Sequence, residues 1–308
     1  MSAKKIACIG NMNNMMFTTC RYLRDMGFEA HLFVLKNEPF LPEDDSYSDD
    51  FKSFTHFLEI DKSSIDASIS RIKQQLSEFV FYIGNDIAPA IMSRLGKYLD
   101  IFVPHGSDLY SYPFPIKFEK EMSRSWWLTG VKLLSDLQRI NIEGIPTFLF
   151  PDEYDLHFPY KHKLNLKGDF HNFSVPMLYH PQYEKAKKER AFENLEHYSF
   201  FKKIRETHDF VLFSHSRQNG ENLPENFKVH EKGNLLLIRG FAKFIKTTEQ
   251  KCCLVLFEYG LNIQAAKDLI HQLNIEQHII WAPKMKRKEI MFGLINSDVS
   301  CGQFINSW

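Results

Sequence analysis

Two kinds of apolar pattern alternate along the chain. Ile6–Ala7–Cys8–Ile9, Ala30–Leu35, Phe79–Ile83, Ile101–Val103 and Pro146–Phe150 are short continuous apolar runs. Such runs suit strands buried on both faces, as in a parallel sheet covered by helices. Between them, Met16, Cys20, Leu23 and Met26 recur at helical spacing and stop at Gly27, and Ile65, Ile69, Ile72 and Leu76 repeat the pattern. Ile87–Lys97 reads as the next helix, and the polar stretch Lys36–Lys62 as a long loop with a short strand, Phe54–Ile60. The alternation predicts an α/β fold with a mostly parallel sheet over the N-terminal half.

Lys117–Ile140 follows as a helix whose apolar side is Trp126, Trp127, Val131, Leu134 and Leu137. Asp152–Tyr183 has no periodicity and reads as a domain junction, and Glu184–Thr207 as a charged helix with Ala191, Leu195, Tyr198 and Phe201 on one side. The β–α alternation then resumes: strand Phe210–Phe213, helix Asn234–Lys246, strand Cys253–Phe257, helix Ile263–Leu273, strand His278–Trp281, helix Lys288–Ile295, and a strand starting at Asp298. This predicts a first Rossmann-like domain over 1–172, a linker and helix over 173–207, and a second, incomplete Rossmann-like domain over 208–308.

Composition narrows the function classes. The 308 residues carry 38 basic and 38 acidic side chains, a net charge of zero. A dedicated nucleic-acid binder would show a basic footprint, so none is expected as a partner. Five scattered cysteines without a C-x-x-C pair fit reduced thiols in a cytosol. No apolar stretch reaches the length of a membrane helix, and MSAKKIACIG is too short in its apolar part for a signal peptide. The expected location is cytoplasmic, with peripheral contact at a membrane surface left open by Lys117, Lys120, Arg124 and Lys132. Glu119, Glu121 and Asp136 dilute that charge and favour an ordinary packed helix with a solvated face.

Candidate chemistry gathers at the C-terminal strand edges, where open α/β sheets bind ligands. The first half offers the turn Gly10, Asn11, Asn13 and Asn14, then Asn85–Asp86, then His105–Gly106–Ser107–Asp108. The turn is not G-x-G-x-x-G, so dinucleotide binding has little support. The second half offers Ser214–Arg217, Glu258–Gly260 and Trp281–Met285. A strand, Arg217, Lys232–Gly233 and then a helix would place two cations beside a helix N-terminus, an electrostatic site for a diphosphate. An isolated Arg and Lys on a polar loop are ordinary surface charge; the ordering is what points to a ligand. His157, His162, His171 and His180 do not pair at the spacings of a zinc site, so no metal is expected.

SHSRQN, EKGNLLLIRGFAKF, LVLFEYGLNIQAAKDLIHQLNI and IIWAPKMKRKEIMFGLINSDV together resemble the retaining, nucleotide-sugar-dependent glycosyltransferases of the GT-B fold, glycosyltransferase family 4 (glycosyl transferases group 1). The resemblance covers nearly the whole chain. It implies a hexosyltransferase-type activity in polysaccharide biosynthesis, from a nucleoside-diphosphate sugar to a glycan or lipid-linked acceptor. Arg217 and Lys232 match the pair that neutralises the donor diphosphate. Gly260, Trp281 and Met285 fall in the nucleotide and base region, and Gly10, Asn11, Asn13 and Asn14 in the acceptor-side loop. His105 and Asp108 match the family's catalytic strand-end motif. No cofactor or metal is implied.

The family's glutamate pair, spaced by seven residues, would follow Phe304 and is missing. On the resemblance the second sheet is expected to lack its last strands and closing helix. The resemblance then leaves the activity of the 308-residue form open, and with it association through the uncovered C-terminal sheet. Two alternatives remain: a glycosyltransferase-like chain that binds nucleotide or glycan without turnover, and a nucleotide-sugar epimerase. The epimerase would need carboxylates placed for proton abstraction.

Overall fold

The apolar runs become parallel strands in the computed structural model, which describes residues 5–36, 39–61, 63–114, 125–150, 154–173, 175–219, 231–302 and 304. The side chains of 125–132 and 154–158 are outside the description. The chain divides into two units, Met1–Glu184 and Lys185–Trp308; the expected linker, 173–207, spans that boundary.

In the first unit β1 (Lys5–Ile9), α1 (Met15–Asp25), β2 (Glu29–Leu35), β3 (Thr55–Leu58), α2 (Ile65–Gln75), β4 (Phe81–Gly84), α3 (Ala88–Arg94), β5 (Ile101–Phe102), α4 (Ser125–Gly144), β6 (Thr147–Phe150), α5 (Tyr154–Lys163), β7 (Asp169–Asn172) and α6 (Pro181–Lys188) follow in order. The strands form one seven-stranded parallel sheet, β3-β2-β1-β4-β5-β6-β7. Side chains alternate across it. Ala7, Ile9 and Phe33 join the core on one face, and Ile6, Cys8, Leu32 and Val34 the core on the other. That double burial is why these strands read as unbroken apolar runs.

In the second unit α7 (Tyr198–Thr207), β8 (Phe210–Ser214), α8 (Asn234–Phe244), β9 (Cys252–Phe257), α9 (Ile263–Gln272), β10 (Ile279–Ala282), α10 (Arg287–Ile295) and β11 (Val299–Cys301) build a parallel sheet ordered β10-β9-β8-β11. Every residue of β9 is buried. The Phe201 ring of α7 lies against Phe213 and Phe292, and Gly293 of α10 leaves room for it. The chain thus holds two parallel, helix-flanked sheets, as expected for two Rossmann-like folds.

Three expectations change. The junction Asp152–Tyr183 contains α5 and β7. α5 carries Pro159 inside it, and β7 is a polar edge strand, mostly exposed, so neither leaves an apolar signature. The single helix Glu184–Thr207 is broken. Arg190 takes a left-handed conformation (φ 56), and a 3-10 turn at Ala191–Asn194 separates α6 from α7. The helix expected over Lys117–Ile140 is observed as α4, Ser125–Gly144. Its basic and tryptophan positions, Lys117, Lys120, Arg124, Trp126, Trp127 and Lys132, lie outside the described residues and side chains. No helix among the described residues is long and apolar enough to cross a membrane.

Candidate functional site

Both sheets reverse their winding beside their first strand: the first between β1 and β4, the second between β8 and β11. Loops leaving the two strands of a reversal diverge, and the crevice between them is where open α/β sheets hold ligands.

At the first reversal the loop after β1 is tied down by carboxamides. Gly10 has φ +82, and a Cβ there would stand 2.6 Å from Asn85 Oδ1 and 2.8 Å from its carbonyl oxygen. Glycine is therefore required on steric as well as conformational grounds. Asn11 is fully buried. Its Oδ1 accepts the Phe17 N–H at 2.9 Å, and its Nδ2 donates to Asn14 Oδ1 at 2.9 Å and to the Phe40 carbonyl at 2.7 Å. Asn13 and Asn14 sit at φ 52 and φ 62, a region asparagine tolerates better than most residues. The Asn85 Nδ2 is buried without a hydrogen-bond partner among the described residues.

The next strand end supplies His105 and Asp108. Asp108 is buried, and its carboxylate accepts the backbone N–H of His105 at 2.8 Å and of Asp86 at 3.1 Å. Burial pushes its carboxyl up to about 7, against the opposing pull of those N–H groups. Asp86 is also raised by burial. Asp108 is thus a brace between two loops. Gln138 of α4, fully buried, completes the brace: its Nε2 donates to the Asp86 carbonyl at 2.8 Å and to the Asp108 carbonyl at 3.1 Å, while its Oε1 accepts the Ala90 N–H at 3.1 Å. Burial lowers the His105 pKa, which keeps the imidazole neutral at pH 7. The Asn13 amide nitrogen meets its Nε2. Gly10, Asn11, Asn13, Asn14, His105 and Asp108 therefore converge on one strand-edge site, whose carboxyl groups among the described residues are Asp86 and Asp108.

At the second reversal Ser216 Oγ donates to the Gly302 carbonyl just past β11. Arg217 is exposed and Lys232 half-buried. Burial lowers the Lys232 pKa first, and the positive charge of Arg217 lowers it further, so the two cations feel each other. Gly233, at φ 70, opens α8 immediately after Lys232. The first turn of a helix carries N–H groups without helical partners, and they reinforce the positive field.

Arg217 rests on two buried neighbours. Gln218 donates its N–H to the Tyr259 carbonyl at 2.7 Å and accepts the Asn262 N–H at 2.7 Å. Asn219 Oδ1 accepts the Leu261 N–H at 3.0 Å, its N–H donates to Asn234 Oδ1 at 3.2 Å, and its carbonyl accepts the Lys232 N–H at 2.8 Å. One dipeptide thereby holds the loop after β8, the residue before α8 and the loop after β9 together. Gly260 (φ +131) lies flat against it: a Cβ would stand 2.5 Å from the Gln218 nitrogen. Arg217, Lys232 and Gly260 thus share one site. Trp281 and Met285 belong to β10 and the loop after it. β10 is two strands from β8, about 10 Å at usual strand spacing. Trp281 faces the Lys267 ammonium, 5.6 Å from its ring centroid.

Gln138, Gln218 and Asn219 are site-building residues without a sequence assignment. For the dipeptide the available signal is its position, directly after Arg217 at a strand end; Gln138 carries none.

No protein family and no curated protein matches the chain. Solved structures do. One is Anabaena HepE in complex with UDP, at 11% identity over 96% of this chain and 73% of that one, with a TM-score of 0.49. Another is UGT73P12 of Glycyrrhiza uralensis complexed with glycyrrhetinic acid 3-O-monoglucuronide, at 11% identity over 98% and 72%, TM-score 0.48. A third is sucrose-phosphate synthase from Thermosynechococcus elongatus, at 12% identity over 96% and 74%, TM-score 0.48.

Proposed function

We propose that the chain is a glycosyltransferase of the GT-B type. It takes a nucleoside-diphosphate sugar and passes the sugar, with retained anomeric configuration, to a glycan or lipid-linked acceptor. One observation carries this reading: Asn219, two residues after Arg217, accepts the Lys232 N–H at 2.8 Å, which sets both residues at the winding reversal of a parallel sheet, beside the N-terminus of α8. A diphosphate carries negative charge complementary to both cations and acceptor oxygens for the helix N–H groups. As the glycosidic bond breaks, negative charge grows on the departing phosphate oxygen. Fixed cations and helix N–H groups lower that barrier without having to reorganise. Gly260 lets the loop after β9 approach closely, and Trp281 and Met285 are assigned to the base by family resemblance. The turn Gly10–Asn14 takes the acceptor side. His105 offers a neutral imidazole to the sugar, and Asp108 positions its loop.

The test is release of nucleoside diphosphate from a panel of nucleotide sugars. Release is expected for at least one donor and is lost in Arg217→Ala. A folded chain that releases none from any donor, with or without acceptor glycans, contradicts the enzymatic reading. A second reading, binding without turnover, is favoured by one contact: Asn13 occupies the His105 Nε2. It predicts diphosphate binding with no release from any donor.

A further inference from the structure

Glu196 and His197 immediately precede α7, and Glu289 lies in the first turn of α10. Folding brings them together across 92 positions of sequence. Glu289 Oε1 lies 3.0 Å from the His197 Nδ1 and accepts the His197 backbone N–H at 3.1 Å. One donor atom from each of the three residues lies within 4.8 Å of the others.

Two features set this group apart from a chance cluster of acids. The Glu289 side chain is only 4% exposed, and the basic group it faces is the His197 imidazole, not a permanently charged Lys or Arg. A carboxylate so far from water calls for a positive partner. The His197 Nδ1 is itself buried and, although it faces that oxygen, makes no hydrogen bond among the described residues. The ring nitrogen and the buried carboxylate thus stand at ion-pair distance, 3.0 Å, without the alignment of a hydrogen bond.

We propose that Glu196, His197 and Glu289 bind a divalent transition-metal ion of the zinc class. One imidazole and two carboxylates form a donor set suited to Zn²⁺, Co²⁺ or Mn²⁺ rather than to an all-oxygen Ca²⁺ site. An ion about 2.0–2.2 Å from each ligand places ligand atoms roughly 3.3 Å apart in tetrahedral geometry. The His197–Glu289 pair already meets that spacing. The exposed Glu196 closes the remaining gap by a rotamer change, and the open positions go to water. The ion would clamp the start of α7 to the start of α10. The proposal is independent of the nucleotide-sugar reading.

The test is calorimetric titration of the full chain with Zn²⁺, repeated with Co²⁺ so that visible absorption reports a nitrogen–oxygen ligand field. One ion per chain is expected, with affinity reduced about tenfold or more in His197→Ala and Glu289→Gln. Glu196→Gln, at an exposed position that leaves folding intact, is expected to weaken binding severalfold. No saturable uptake by the folded chain, or uptake unchanged in the folded His197→Ala and Glu196→Gln variants, would overturn the proposal.

Discussion

Where the first sheet reverses, between β1 and β4, the strand ends present Asn11, Asn13, Asn85, a neutral His105 and a carboxyl that titrates near 7. Where the second reverses, between β8 and β11, they present Arg217 and Lys232. The skeletons match. Each has a positive-φ glycine pressed onto a carboxamide residue, Gly10 on Asn85 and Gly260 on Gln218. Each has buried amides stitching neighbouring loops together. The chemistry differs: one site trades hydrogen bonds around a weak base, and the other presents two cations. Topology therefore supplies the place and the glycine–amide contact its rigidity, whereas the ligand class depends on a few side chains that topology does not determine.

The shared skeleton breaks most readily at its glycines. Gly260→Ala is expected to cost about 2–3 kcal/mol in denaturant unfolding, because a Cβ would meet Gln218 backbone atoms in a conformation few side chains adopt. Gly10→Ala should cost a similar amount. A loss under about 0.5 kcal/mol in both would deny that these contacts are built in.

The next contrast is protonic. Folded, Asp108 keeps its proton up to about pH 7; unfolded, an aspartate keeps it only to about pH 4. Between these values the native state binds more protons, so its stability falls as pH rises. The Asp108→Asn variant lacks this dependence. Unfolding free energies at successive pH values should therefore show the parent chain losing ground to Asp108→Asn from pH 4 to 7, and parallel curves would contradict the buried-carboxyl description. A smaller effect concerns His105. By NMR it should titrate below the ordinary histidine value, and Asn13→Gly, which keeps the positive φ, should move it upward. The smallest effect lies in the second site. Arg217 is exposed, so Arg217→Gln should change folding stability by less than about 0.5 kcal/mol.

Most of the fold was legible because its strands are buried on both faces: β1, β2, β8 and β9 read directly as apolar runs. β7 was not, since Asp169–Asn172 is an edge strand that buries little, and α5 was hidden by its internal proline. The glycines and charged residues of the sites stood out through their types and their places at strand ends. Gln138 did not. A glutamine on a helix announces nothing until residues 30 and 52 positions earlier are found as its partners. The Glu196–His197–Glu289 group was invisible for the same reason.

The central claim is that the second reversal is a diphosphate site, and titration calorimetry with nucleoside diphosphates and monophosphates tests it directly. The account predicts that the parent chain binds diphosphates more tightly than monophosphates, and that Arg217→Ala loses about tenfold or more of the diphosphate affinity while remaining folded. Failure of the folded parent chain to bind any diphosphate, or equal affinity in Arg217→Ala, would contradict it.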